Sequence, residues 1–163
     1  MIPGKTREIL KQALKNAREI LLSHHGKQVK TERKESIISV VTEADLAAEK
    51  CILETLNKTP GKFNIITEES GHVDQGSEYT WVVDPLDGTS NFAAVLPWFG
   101  VIIALFHKNI PVLGGMYLPL SDELFLTEQG KGAWKNGETL KASASQTPWW
   151  TSVMWLTADW GLL

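Results

Sequence analysis

Residues 81–92 restrict the fold more than any other stretch of the chain: Trp81-Val82-Val83-Asp84-Pro85-Leu86-Asp87-Gly88-Thr89-Ser90-Asn91-Phe92. Val82 and Val83 are β-branched and read as the end of a buried strand. Asp84 then emerges where a sheet presents functional groups. Pro85 fixes φ and gives up its N–H, which stiffens the turn. Asp87 follows three residues later, so both carboxylates can face one point. Gly88 permits a backbone shape that other residues resist. Thr89-Ser90-Asn91 reads as the N-terminus of a short helix that ends near Pro97, and free N–H groups there attract an anion such as phosphate.

Two other short segments place acidic residues in the same manner, Thr42-Glu43-Ala44-Asp45 and Ile66-Thr67-Glu68-Glu69-Ser70. Taken singly, each has a plainer reading. Asp-Gly is a common turn, Glu68-Glu69 a solvated loop, and Asp45 a capping residue behind a Thr42 N-cap. Taken together, each after a buried strand, they read as a site. Carboxylates beside an anion-binding turn repel one another and the anion, and divalent cations resolve that conflict. Oxygen ligands without His or Cys nearby in sequence favour a hard ion such as Mg²⁺. Two such ions roughly 3.5–4 Å apart suit phosphate monoester hydrolysis by an activated water.

Around that site the periodicities predict an α+β chain. Ile9, Leu10, Ala13, Leu14, Ala17, Ile20 and Leu21 recur at helical spacing and give a helix over 6–24. A polar loop is expected over 26–35 and a short strand over 37–41. A second helix is expected to open at Thr42 and run to about Asn57. Strands are expected over 63–66, 80–83, 101–106, 112–118 and 123–126, with turns at Lys108-Asn109, 119–122 and Lys135-Asn136-Gly137. Cys51 and Ile52 are expected in the core, Trp98 behind the short helix, and Trp134 as the anchor of a hairpin. His24, His25, His72 and His107 fall in or near loops with no evident ligand set.

Composition excludes some functions. The chain has 163 residues, a formal charge of −3 and one cysteine, Cys51. There is no basic excess of the kind a nucleic-acid surface carries. No apolar run approaches a membrane span, and a single cysteine forms no intrachain disulfide. The expected location is the cytoplasm. Residues 147–163 form a nearly uncharged stretch with Trp149, Trp150, Trp155 and Trp160. The abrupt end reads as a truncated or frame-shifted C-terminus, against the plainer alternative of an apolar terminal strand that docks on the domain or a partner.

The acidic segments closely resemble the inositol monophosphatase family. Asp84 to Phe92 reproduces its D-P-[L/I]-D-G-[T/S]-x-N-F signature, Thr67 to Ser70 its E-E-S element, and Val41 to Asp45 its V-T-x-x-D element. Gly130-Lys131-Gly132-Ala133-Trp134 with Asn136-Gly137 resembles its glycine-rich hairpin. The resemblance spans about residues 6–145, roughly the first half of a family member. It implies the first half of a layered α/β sandwich of the inositol monophosphatase/fructose-1,6-bisphosphatase type, with two helices and a mainly antiparallel sheet. Residues 1–146 would form this metal- and phosphate-binding domain, and 147–163 an atypical tail.

The resemblance further implies a division of roles. Glu68, Asp84 and the Leu86 carbonyl would hold one Mg²⁺, Asp84 and Asp87 a second, and Glu69 a water or a weaker ion. Asp45 and Thr89 would orient and deprotonate the attacking water, with Glu68 in the same catalytic group. Gly88, Thr89 and Asp87 would hold the phosphate, and Lys34 would assist a third ion against the plain reading of a solvated loop charge. The substrate would be a small phosphate monoester, inositol monophosphate before others, and the family suggests a homodimer. The family's later W-[D/E]-x-A-[A/G]-G element has no match here. Two readings therefore stand: a Mg²⁺-dependent phosphatase, and a non-catalytic metal-binding or interaction remnant of one.

Overall fold

A computed structural model describes residue 2, residues 4–27 and residues 34–142, the side chains of 34–40 excepted. The tail over 147–163 and the Lys34 side chain lie outside the described residues. Helix α1 (Thr6–His24) and helix α2 (Lys34–Leu56) come first. Strands β1 (Asn64–Thr67), β2 (Gly71–Val73) and β3 (Tyr79–Asp87) follow, then the short helix α3 (Thr89–Ala93). Strands β4 (Gly100–His107), β5 (Ile110–Leu118), β6 (Glu123–Glu128), β7 (Gly132–Lys135) and β8 (Glu138–Leu140) complete one sheet, in the order β2-β1-β3-β4-β5-β6-β7-β8.

Every neighbouring pair is antiparallel except β1 and β3, which run parallel. The meander from β3 onward follows from short turns. Lys108 and Asn109 both take positive φ, as do Asn136 and Gly137, the geometry that suits the right-handed twist of a two-residue hairpin. The Asn136 side chain ties its turn to the start of β6, accepting from the Leu124 N–H at 2.8 Å and donating to the Asp122 carbonyl at 3.1 Å.

Both long helices pack on one face of the sheet, α1 against β4 and β5 and α2 against β3. The α1 stripe Leu10, Ala13, Leu14, Ala17 and Leu21 is fully buried, with polar residues between, as the 3.6-residue period requires. It meets Trp81, Val83, Val101, Ile103, Leu105 and Leu113, whose alternation puts the same set of strand residues inward. The opposite sheet face, with Val82, Ile102, Ala104 and Met116, is half-buried among the described residues.

Four expectations are corrected. Residues 37–41 are not a strand; they belong to α2, which begins at Lys34. Their β-branched side chains suit a strand locally, yet extending a helix costs far less than nucleating one, and the pattern of Val41, Ala44, Ala48 and Ile52 continues back through Ile37. Thr42 is therefore no N-cap, because it sits inside the helix. Trp98 does not pack behind α3: it is 67% exposed, and only its carbonyl is engaged, accepting from the Asn91 side chain at 2.7 Å. Cys51 is half-buried, while its neighbour Ile52 reaches the core.

The seat of α1 depends on Gly115. A Cβ there would lie 2.5 Å from Leu14 Cδ1 and 3.0 Å from Leu126 Cδ2. Gly115→Val should therefore cost about 1–3 kcal/mol through overpacking. Urea denaturation checks this, the expected result being a lower midpoint at unchanged slope.

Candidate functional site

Three elements bring the acidic segments to one end of the sheet. The parallel pairing of β1 with β3 sets Thr67 beside Val83. The next residues are then Glu68, which leaves the sheet, and Asp84, which stays in β3 opposite Ile102 of β4, where the sequence pattern places it past the strand's end. Helix α2 crosses the same end and presents Asp45 from a buried face, 6% exposed.

Strand β3 solves a parity problem. In a regular strand Asp84 and Asp87, three residues apart, point to opposite faces. Here the pairing with β4 shifts register between them: Asp84 opposes Ile102 and Asp87 opposes Gly100. That extra residue is a β-bulge, a place where a proline without an N–H is tolerated. It turns the Asp87 charge close enough to act on Asp84. The Asp84 carboxylate also accepts from the Leu86 N–H at 3.1 Å, and the Thr89 hydroxyl donates to the Leu86 carbonyl at 3.1 Å. Gly88 takes φ +83°, and a Cβ there would lie 2.7 Å from the Trp98 carbonyl, so the turn admits only glycine without rearrangement.

Burial and like charge make these carboxyls weak acids. Burial first, then the charges of Glu69, Glu68, Asp84 and Glu49, pushes Asp45 up to about 7. Burial, then Glu68 and Asp87, pushes Asp84 up to about 7, partly offset by the Leu86 N–H. Burial also raises Asp87. Asp45 Oδ1 is enclosed without a hydrogen-bond partner. Such an oxygen is costly unless something fills the position it faces.

The structure thus brings together Asp45, Glu68, Glu69, Asp84 and Asp87, with Glu68, Glu69 and Thr89 exposed. Among the described residues no three of them already close into a metal cage. The donors that converge are nonetheless all oxygens, three of them on carboxyls whose charge the fold penalises, and one is an orphaned buried atom. That chemistry fits a hard divalent cation. Beside Asp87 and Gly88 opens a cavity of about 520 Å³, walled by Trp98, Met116, Leu118 and Leu120.

Two residues escaped the reading of the sequence. Glu49, 2% exposed, bonds to the turn carrying Glu68 and Glu69. Its signal was a carboxylate four residues after Asp45, on a helix face otherwise lined by Ala44, Ala48 and Ile52. His25 stacks on Phe99 at 4.9 Å and meets Phe92 edge-on at 5.4 Å, with burial lowering its pKa. It packs under α3, and nothing in the local sequence signals that.

The model of the inositol monophosphatase family matches residues 4–159. Nus factor SuhB of Salmonella typhimurium is 44% identical over 107 residues, which are 65% of this chain and 40% of that protein. Inositol monophosphatase 2 of Solanum lycopersicum is 38% identical over 138 residues, 82% of this chain and 52% of that one. The crystal structure of extragenic suppressor protein suhB from Bartonella henselae superposes with a TM-score of 0.74 at 36% identity, covering 85% of this chain and 54% of that one. The chain spans about half the length of the relatives it matches.

The raised carboxyls give a signed pH dependence. Between an unfolded value of 3.8 and a folded value of about 7, the folded Asp84 holds a proton that the unfolded chain has lost. Its contribution to stability therefore falls as pH rises across that window and stays low above it. Asp84→Asn keeps an oxygen for the Leu86 N–H and removes the charge. The metal-free variant should melt higher than wild type at pH 8, and the difference should shrink toward pH 4, as read by differential scanning fluorimetry.

Proposed function

The chain belongs to the inositol monophosphatase family, and on that footing we propose that it binds Mg²⁺ and hydrolyses a small phosphate monoester, inositol monophosphate first. The observation that supports this most is the convergence of Asp45, Glu68, Asp84 and Asp87 at one sheet end, two of them raised to about 7. Glu68, Asp84, the Leu86 carbonyl and Asp87 are the metal ligands, and Glu69 holds a water or a weaker ion. Bound divalent ions supply positive charge for the phosphate and acidify a water.

The chain's own groups do the rest. The N–H groups of Gly88 and Thr89 bind the phosphate oxygens, on a turn whose shape the glycine sets. Asp45, with one enclosed and unpartnered oxygen, takes the proton of the attacking water. The Thr89 hydroxyl, tied to the Leu86 carbonyl, orients the same water. The family resemblance would add Lys34 as an auxiliary group for a third ion.

A second reading is a non-catalytic metal-binding or interaction module. It draws support from relatives that carry the name Nus factor SuhB. The two readings part on one assay, phosphate release from inositol 1-phosphate. Mg²⁺-dependent release by wild type, lost in Asp84→Asn, supports the phosphatase. A folded chain that Mg²⁺ stabilises but that releases no phosphate supports the module.

A further inference from the structure

We propose that Glu49 is the positioning residue of this site, fixing the turn that carries Glu68 and Glu69 against the helix that carries Asp45. The proposal rests on the Mg²⁺ reading above for its consequence, but on geometry alone for its cause. Asp45 and Glu49 stand one turn apart on the buried face of α2. Glu49 Oε2 accepts the backbone N–H of Glu69 at 3.2 Å and that of Ser70 at 3.4 Å. Its other oxygen, Oε1, accepts the Ser70 hydroxyl. The same Ser70 N–H also reaches the Thr67 hydroxyl at 3.1 Å. One carboxylate thus ties two successive amides and a side chain of the connection between β1 and β2.

The placement is unusual for a structural residue. Glu49 is 2% exposed, and among the described residues no lysine, arginine or histidine pairs with it. A buried carboxylate without a counter-cation is expensive, and hydrogen bonds from N–H and O–H groups are what offset it. Its charge also adds to the repulsion on Asp45. An apolar residue would fill the same helix face without either cost. What it could not do is hold an exposed, acidic connection at a set distance from Asp45 and Asp84. Glu68 and Glu69 are exposed and repelled by their neighbours, so without the tether they turn to solvent.

The experiment compares Glu49→Gln, Glu49→Ala and Ser70→Ala, with Mg²⁺ alone as the probe. Glutamine can keep all three bonds: its amide oxygen accepts from the two N–H groups and its NH₂ donates to the Ser70 hydroxyl. Alanine keeps none. Isothermal titration should show Glu49→Gln near wild-type Mg²⁺ affinity and Glu49→Ala about tenfold to a hundredfold weaker, with Ser70→Ala between them. Native-state hydrogen exchange gives a second readout that needs no metal. The Glu69 and Ser70 amides should exchange faster in Glu49→Ala and regain protection in Glu49→Gln. Wild-type protection and affinity in Glu49→Ala would overturn the proposal, and so would a glutamine variant as impaired as alanine. If wild type binds no Mg²⁺, the Mg²⁺ reading fails on its own and the exchange comparison still decides the role of Glu49. If Glu49→Ala does not fold, Ser70→Ala, altered at an exposed position, carries the same comparison.

Discussion

Two helices laid across one face of one sheet set the position of everything else. The stripe from Leu10 to Leu21 must be buried somewhere, and the sheet face with Val83, Ile103 and Leu105 offers the complementary apolar surface. Once α1 is seated there, α2 packs beside it over β3. The inner face of α2 then carries Asp45 and Glu49 to the end of the sheet where β1 stops beside β3. The acidic cluster is thus a consequence of core packing. Apolar burial supplies the driving force, and the charged residues travel with the helix face that provides it.

That arrangement opposes electrostatics. Burial first, and then the charge of neighbouring carboxylates, pushes Asp45 and Asp84 both up to about 7. A protein under selection for stability alone would not place them so, and groups with strongly perturbed pKa values gather at functional sites. The fold has several devices that hold the cluster despite the repulsion. The Leu86 N–H bonds to Asp84, the bulge in β3 turns Asp87 inward, and Gly88 lets the chain pass close to the Trp98 carbonyl, where an added Cβ would lie only 2.7 Å from that oxygen. Each is a backbone feature, and backbone features do not relax when a charge changes.

Much of this could be read from residues in order, and some could not. The 3.6-residue period of α1 matched the observed Thr6–His24, since nothing local competes with it. The strands β4, β5 and β6 followed from apolar runs between turn residues. The strand expected over 37–41 failed because β propensity is a weak, local signal and the helix on its C-terminal side extends over it. Trp98, next to Pro97, was expected behind the short helix, yet it stands at the rim of a cavity and is two-thirds exposed. His25 and Glu49 were passed over because their partners, Phe92, Phe99, Glu69 and Ser70, lie far along the chain.

The sequence by itself determined the chemistry: which oxygen-bearing residues are available, the proline and glycine that shape their turn, and the family to which the pattern belongs. It did so because covalent order keeps Asp84, Pro85, Asp87 and Gly88 within a few bonds of one another in any fold. Tertiary structure decided which carboxylates meet. The parallel register of β1 on β3 puts Glu68 beside Asp84, and the packing of α2 brings in Asp45 and Glu49. Those distances depend on long-range burial, a sum over the whole core that no window of sequence contains.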